Sequence, residues 1–174
     1  MSDLFGIGIP EEWTEEVLGE IVRWPEHRFY LLTKQPQNLI KWSPFPENCW
    51  VGVTATSDAM LTMAVTSLGH VKATVKYISI EPMLGDMQPP IDRRLSQAGI
   101  NWVIIGAQTK PYKPPILRWV WEVMDACDSA GIPVFLKDNL ARILLPYEPF
   151  YKFLRYPEAT DIAGGVWKLR QEMP

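Results

Sequence analysis

The stretch YISIEPML, residues 77–84, decides the fold. It is nearly continuous in apolar character before it stops at Glu81-Pro82, which is how a strand covered on both faces reads. Four further runs share that character: FYLLTK from Phe29, CWVGVTAT from Cys49, WVIIGAQT from Trp102 and PVFLKD from Pro133. The five recur at intervals of about 20 to 30 residues, room for a helix between successive strands.

The intervening segments read as helices. Pro10, Glu11 and Glu12 make a favourable first turn, and Trp13, Val17, Leu18, Ile21 and Val22 follow on one stripe that stops near Pro25. A short helix is expected over residues 36–42. Ser57 is placed to cap a third, with Met60, Leu61, Ala64 and Leu68 facing inward. Residues 91–98 form a weaker fourth, closed by Gly99. The clearest carries Leu117, Val120, Trp121, Met124 and Cys127, and ends at Gly131 as a left-handed cap.

A strand–helix alternation of this kind gives right-handed crossovers and a parallel sheet. A complete (β/α)8 barrel takes roughly 250 residues. The expected fold for 174 residues is therefore α/β, an incomplete TIM-barrel-like (β/α) domain with about five parallel strands and outer helices. Residues 1–174 read as a single domain. Its β/α repeat region covers 1–140, and an irregular, aromatic tail, 141–174, packs on it.

A net charge of −3 argues against a whole-surface footprint for nucleic acid or anionic lipid. Cys49 and Cys127 are far apart and outside any C-x-x-C pair, so they read as buried, reduced thiols. The start lacks the features of a signal peptide and no apolar run reaches membrane-spanning length, so a cytoplasmic, non-membrane protein is expected. The common dinucleotide, NTP, serine-hydrolase and zinc-protease motifs do not occur.

In a parallel sheet the residues just past each strand share one rim. Here those are Thr33 and Lys34, Thr54 and Thr56, Glu81, then Gly106, Gln108 and Lys110, and finally Lys137, Asp138 and Asn139. Glu81 and Lys137 emerge directly from apolar runs, where a charge needs a partner. Glu81 is expected to pair with Lys34 or Lys137. Lys34, Lys110, Lys113 and Lys137 bias the rim positive, which suits a phosphate or carboxylate ligand. His27 and His70 fall at or beyond helix ends on the opposite rim. Asp3, Glu81 and Asp138 remain as acid/base candidates.

Several runs together, MSDLF at the start, LLTKQP from Leu31, WVGVTA from Trp50, SIEPMLG from Ser79, WVIIGAQT from Trp102 and GIPVFLKDN from Gly131, resemble the phage gene-product 37/68 family. Its members are regarded as similar to radical S-adenosylmethionine (SAM) proteins. The resemblance covers about residues 1–140, and Asp3, Thr33, Lys34, Glu81, Pro82, Gly106 and Lys137 match position by position. Gln108 stands where the family often has a carboxylate, and Asp138 also departs from its pattern.

The resemblance implies a preceding β-α unit with a Cys-rich loop, so that Met1 corresponds to an internal position of a truncated barrel. SAM and an iron–sulfur cluster are implied only with that segment, because reductive SAM cleavage needs cluster thiolates. The expected catalytic residues are Glu81, Lys34 and Lys137. The expected ligand contacts are Asp3, Thr33, Thr54, Gly106, Gln108 and Lys110, with no metal ligands in this chain.

Three functions follow as alternatives: the larger part of a radical-SAM-like enzyme, a cluster-free module for an anionic small molecule, nucleotide or nucleic-acid end, and a degenerate structural or interaction protein. A missing first unit leaves an open strand edge near the N-terminus. The C-terminal tail or a second copy in a homodimer is expected to cover it.

Overall fold

The structure is a computed structural model that describes residues 3–144 and 169–174. Most of the expected tail, 145–168, lies outside the described residues. In chain order the elements are α1 (Glu11–Arg23), β1 (Phe29–Thr33), a 3-10 helix (Pro36–Trp42), β2 (Cys49–Thr54), α2 (Asp58–Gly69), β3 (Val75–Ile80), α3 (Ile91–Gln97) and β4 (Trp102–Ile105). A hairpin of β5 (Gln108–Thr109) and β6 (Tyr112–Lys113) follows, then α4 (Leu117–Ala130), β7 (Val134–Leu136), a second 3-10 turn (Asp138–Leu140) and α5 (Ala141–Leu144).

All five expected strands are present and pair in parallel in the order β1-β2-β3-β4-β7. The architecture is mixed α/β, a five-stranded parallel sheet with surrounding helices. Among the described residues the sheet is open, with β1 and β7 at its two ends, and closure into a barrel would take about eight strands. The hairpin β5–β6 was not foreseen, because two-residue strands carry too few side chains for a pattern to show.

Alternate residues of each strand divide the two faces. Cys49, Val51, Val53, Ile78, Ile80, Val103 and Ile105 point to the helices, each 1% exposed or less. At about 1.5–3 kcal/mol for each fully buried large aliphatic side chain, this layer dominates the apolar stabilisation. Trp50, Val75, Tyr77 and Trp102 form a second cluster on the other face, where Tyr30 and Phe135 join them edge-to-face.

The helices differ from the sequence reading in two respects. Trp13 and Val22 are 58% and 63% exposed. At roughly 100° per residue each lies a quarter-turn from the line through Thr14 and Ile21, on opposite flanks of α1, so the stripe is wider than the face the sheet covers. Ser57 does occupy the N-cap of α2, yet its side chain makes no capping hydrogen bond. The carboxylate of the next residue, Asp58, accepts from the Gln88 N–H at 2.9 Å and from Arg94 at 2.6 Å, tying α2 to α3. Gly131 ends α4 in the left-handed region, φ 67°, as expected.

Of the tail expected to cover the β1 edge, residues 145–168 lie outside the described residues, and its last six residues are described. Residues 169–172 run along β7, the edge far from β1. Leu136 N–H donates to the Arg170 carbonyl at 2.8 Å, Glu172 N–H to the Val134 carbonyl at 3.0 Å, and Phe135 bridges Gln171 antiparallel. Trp102 Nε1 donates to the Glu172 carbonyl at 2.8 Å. Among the described residues no strand covers the outer edge of β1.

Candidate functional site

Glu81 leaves the carboxyl end of β3, Gly106 that of β4 and Lys137 that of β7, on adjacent strands. The Glu81 side chain crosses the middle strand at Gly106: a Cβ there would lie 3.0–3.1 Å from Cγ, Cδ and Oε1 of Glu81. Past that glycine, Lys137 Nζ lies 2.7 and 2.8 Å from the two carboxylate oxygens. Of the two partners expected for Glu81, the structure selects Lys137.

The pair is held from below. Met83 N–H donates to the Gly106 carbonyl at 3.0 Å, and Lys137 N–H to the Ile105 carbonyl at 2.9 Å. Asn139 accepts from the Ala107 N–H and donates to the Ala107 carbonyl, both at 2.9 Å, locking the segment after β7 to the end of β4. The Tyr112 hydroxyl donates to the Asn139 carbonyl at 3.1 Å, so the hairpin closes over the same junction. Sequence reading placed Asn139 on the rim without this role. Its two-way grip depends on the facing backbone, which one sequence does not display.

The side chains of Glu81 and Lys137 remain 27% and 42% exposed. An ion pair so open to water contributes about 0–1 kcal/mol to folding, so its charges remain available to a ligand. Lysine offers a mobile point charge for phosphate or carboxylate, and Glu81 offers acceptor oxygens.

The other expected site residues are spread along the rim. Asp3 lies at the end of β1, where its carboxylate accepts from Thr33 Oγ1 and Lys34 N–H at 2.8 Å each and from Phe5 N–H at 3.1 Å. Thr33 in turn accepts from Gln35 N–H at 2.9 Å. Asp3 and Thr33 thus shape the end of β1 and are engaged in doing so. Lys34 is exposed beside them, two strands from Glu81.

Thr54 is 4% exposed and pairs in register with Ser79, which is 3% exposed; both sit below the rim on the face opposite the helices. Ser79 was not singled out, although its place two residues before Glu81 assigns it to the same face. Gln108 donates to the Pro111 carbonyl within the hairpin at 3.1 Å, and Lys110 is exposed at its tip. Asp138 accepts from Gln171 at 2.8 Å. Asp3 and Asp138 are therefore each engaged with partners other than Glu81.

The cysteines do not suit an iron–sulfur cluster. Cys49 faces the helices from β2 and Cys127 lies in α4, both fully buried, and burial pushes each thiol up to about 12. Cluster ligation needs accessible thiolates.

Residues 1–141 match a family described as a protein of unknown function, DUF5131. The chain belongs to that family. No curated protein and no solved structure matches it. The description of DUF5131 names no activity, origin or cofactor, so what this member does has to be argued from the rim itself.

Proposed function

We propose that this DUF5131 member binds a small anionic ligand at the carboxyl-end rim of its sheet. Lys137 contacts the anionic group, which takes the place at its ammonium that the Glu81 carboxylate holds in the free protein. The observation that carries this reading is the Glu81–Lys137 pair laid across Gly106. A pair built for stability alone gains little at this exposure, whereas a backbone opened to admit a carboxylate and locked by Asn139 places two opposite charges reproducibly. The carboxyl end of a parallel sheet is also where open α/β folds bind ligands. Lys34 and Lys110 add positive charge along the rim.

A radical-SAM-like barrel, the finer reading that the resemblance implies, requires cluster thiolates that Cys49 and Cys127 do not offer. No radical step is assigned to these residues. What that reading and the anion-site reading share is the ligand-facing rim.

Calorimetric titration with AMP, pyrophosphate and SAM, at low and high salt, tests the proposal. Saturable binding of AMP or pyrophosphate is expected, competed by inorganic phosphate, weakened by salt and lost in Lys137→Met. Binding of SAM in place of the simple anions moves the reading to the radical-SAM-like class. Affinity that climbs with oligonucleotide length moves it to nucleic acid. No binding, or binding unchanged by Lys137→Met, overturns it and leaves a structural or interaction protein.

A further inference from the structure

Thr54 of β2 and Ser79 of β3 stand side by side in register on the face opposite the helices, 4% and 3% exposed. Among the described residues neither hydroxyl has a hydrogen-bond partner, and neither is sealed from solvent. The polar side chains around them are engaged: Thr33 with Asp3, the Tyr77 hydroxyl with the Leu31 carbonyl, and Asn139 with Ala107. Polar groups this buried find partners, and two adjacent hydroxyls that the fold leaves open can take theirs from a ligand.

The neighbours of the pair define the kind of ligand. In the row beneath, Tyr77 lies across Gly52 and closes the floor. Ile104, in register with Ser79, is an apolar flank. On the other flank the register of β1 with β2 ends at Thr33 opposite Val53, so Lys34 stands level with Thr54 and brings a positive charge to that side. Two residues further along β3 is Glu81, whose carboxylate lies over Gly106 of β4 against Lys137. Two residues of strand and one strand spacing put Ser79 roughly 8 Å from the place of that carboxylate. Two phosphates that share a bridging oxygen are too close together to span this, whereas two phosphates carried on different carbons of a sugar reach it.

We propose that Thr54, Ser79 and Lys34 form a second anion subsite, and that the ligand of this rim carries two anionic groups on a sugar-sized spacer, as a sugar or nucleoside bisphosphate does. One group sits at Lys137, the first anion contact on which this inference rests, and the other at the hydroxyl pair. There the two hydroxyls donate to the anion and Lys34 supplies the opposite charge.

Calorimetric titration of the full chain with AMP, ADP and adenosine 3′,5′-bisphosphate, on the wild type, Thr54→Val, Ser79→Ala and Lys137→Met, tests this. The bisphosphate should bind roughly tenfold more tightly than ADP, whose two phosphates are joined directly. Thr54→Val and Ser79→Ala should each weaken the bisphosphate about fivefold and leave AMP unchanged. Their urea midpoints should not fall, because the hydroxyls removed have no partner within the described fold. A fall in midpoint, bisphosphate binding no tighter than ADP, or equal loss of AMP and bisphosphate in the hydroxyl variants overturns the second subsite. If AMP binding is still lost in Lys137→Met in that case, the rim keeps a single anion site. Bisphosphate affinity that depends on Thr54 and Ser79 but not on Lys137 overturns the two-point ligand and moves the anion site to the hydroxyl pair alone. No binding of any of these nucleotides overturns both.

Discussion

The two faces of one sheet are built on different plans. Toward the helices, Cys49, Val51 and Val53 of β2 and Ile78 and Ile80 of β3 are sealed by generic apolar packing. On the other face side chains of one strand lie across the next, and Tyr30, Trp50, Trp102 and Phe135 pack on one another. Tyr77 of β3 lies across Gly52 of β2, and its hydroxyl donates to the Leu31 carbonyl of β1 at 3.1 Å. Glu81 lies across Gly106 in the same manner to reach Lys137. Both crossings use a glycine on the neighbouring strand, and they differ in what they carry. The crossing by Tyr77 is aromatic and closed, 3% exposed, and the one by Glu81 is charged and open. The first fastens the sheet, and the second is where a ligand can intervene.

The largest effect that would sharpen this contrast lies on the helix side. Burial holds the Cys49 and Cys127 thiols near 12, against 9.0 for the free group. The sign follows from proton uptake: the unfolded thiol ionises first, so stability is fully present below pH 9 and falls as pH rises toward 12. The slope approaches about 1.4 kcal/mol per pH unit for each thiol. Tyr77, raised by burial and by the nearby Cys49 and Tyr30, acts in the same sense. Burial lowers the Lys76 ammonium, which donates to the Leu68 and Ala98 carbonyls, so it acts in the opposite sense, one group against three. Urea unfolding at pH 8 and pH 11 measures the loss, and Cys49→Ala with Cys127→Ala should flatten it.

The aromatic crossing comes next. A Cβ at position 52 would fall 2.2 Å from Cε2 and Cζ of Tyr77, too close for the ring to stay. Gly52→Ala should cost about 1–3 kcal/mol, read from the urea midpoint. Tyr77→Phe keeps the ring and loses the bond to the Leu31 carbonyl, for about 1 kcal/mol. If Gly52→Ala is neutral, the ring has another place to go and the crossing is incidental.

How much of this the sequence displays depends on how local the cause is. The five strands are legible because burial on both faces leaves continuous apolar runs, and Glu81 and Lys137 because each is a charge at the end of such a run. The choice of Lys137 over Lys34 is not legible. It depends on strand order, which flanks β3 with β2 on one side and β4 on the other, and on Gly106 of β4, which lets Glu81 cross toward β7. Asp3 reads as a site residue from its position, yet its three accepted hydrogen bonds come from β1 and the chain beside it. The course of residues 169–172 along β7 is set by long-range partners, Asp128 on the Arg170 guanidinium and the Trp102 indole on the Glu172 carbonyl, that no local pattern announces.

The smallest effect on stability should be the most informative about function. At 27% and 42% exposure the Glu81–Lys137 pair is screened by water, so Lys137→Met and Glu81→Gln should each shift folding by only about 0–1 kcal/mol. Their effects on anion binding should have opposite signs. Lys137→Met removes the contacting charge and abolishes it. Glu81→Gln removes the carboxylate that competes with the ligand for Lys137 and strengthens it. Gly106→Ala should weaken binding while costing less stability than Gly52→Ala, because the added Cβ meets a half-exposed side chain at 3.0 Å and not a buried ring at 2.2 Å. Phosphate-competition calorimetry on the three variants checks this. If Glu81→Gln and Lys137→Met weaken binding equally, both charges contact the ligand in its bound state. If neither alters it and both cost several kcal/mol of stability, the charged crossing is a fastener like the aromatic one, and the difference between the two ends of this face disappears.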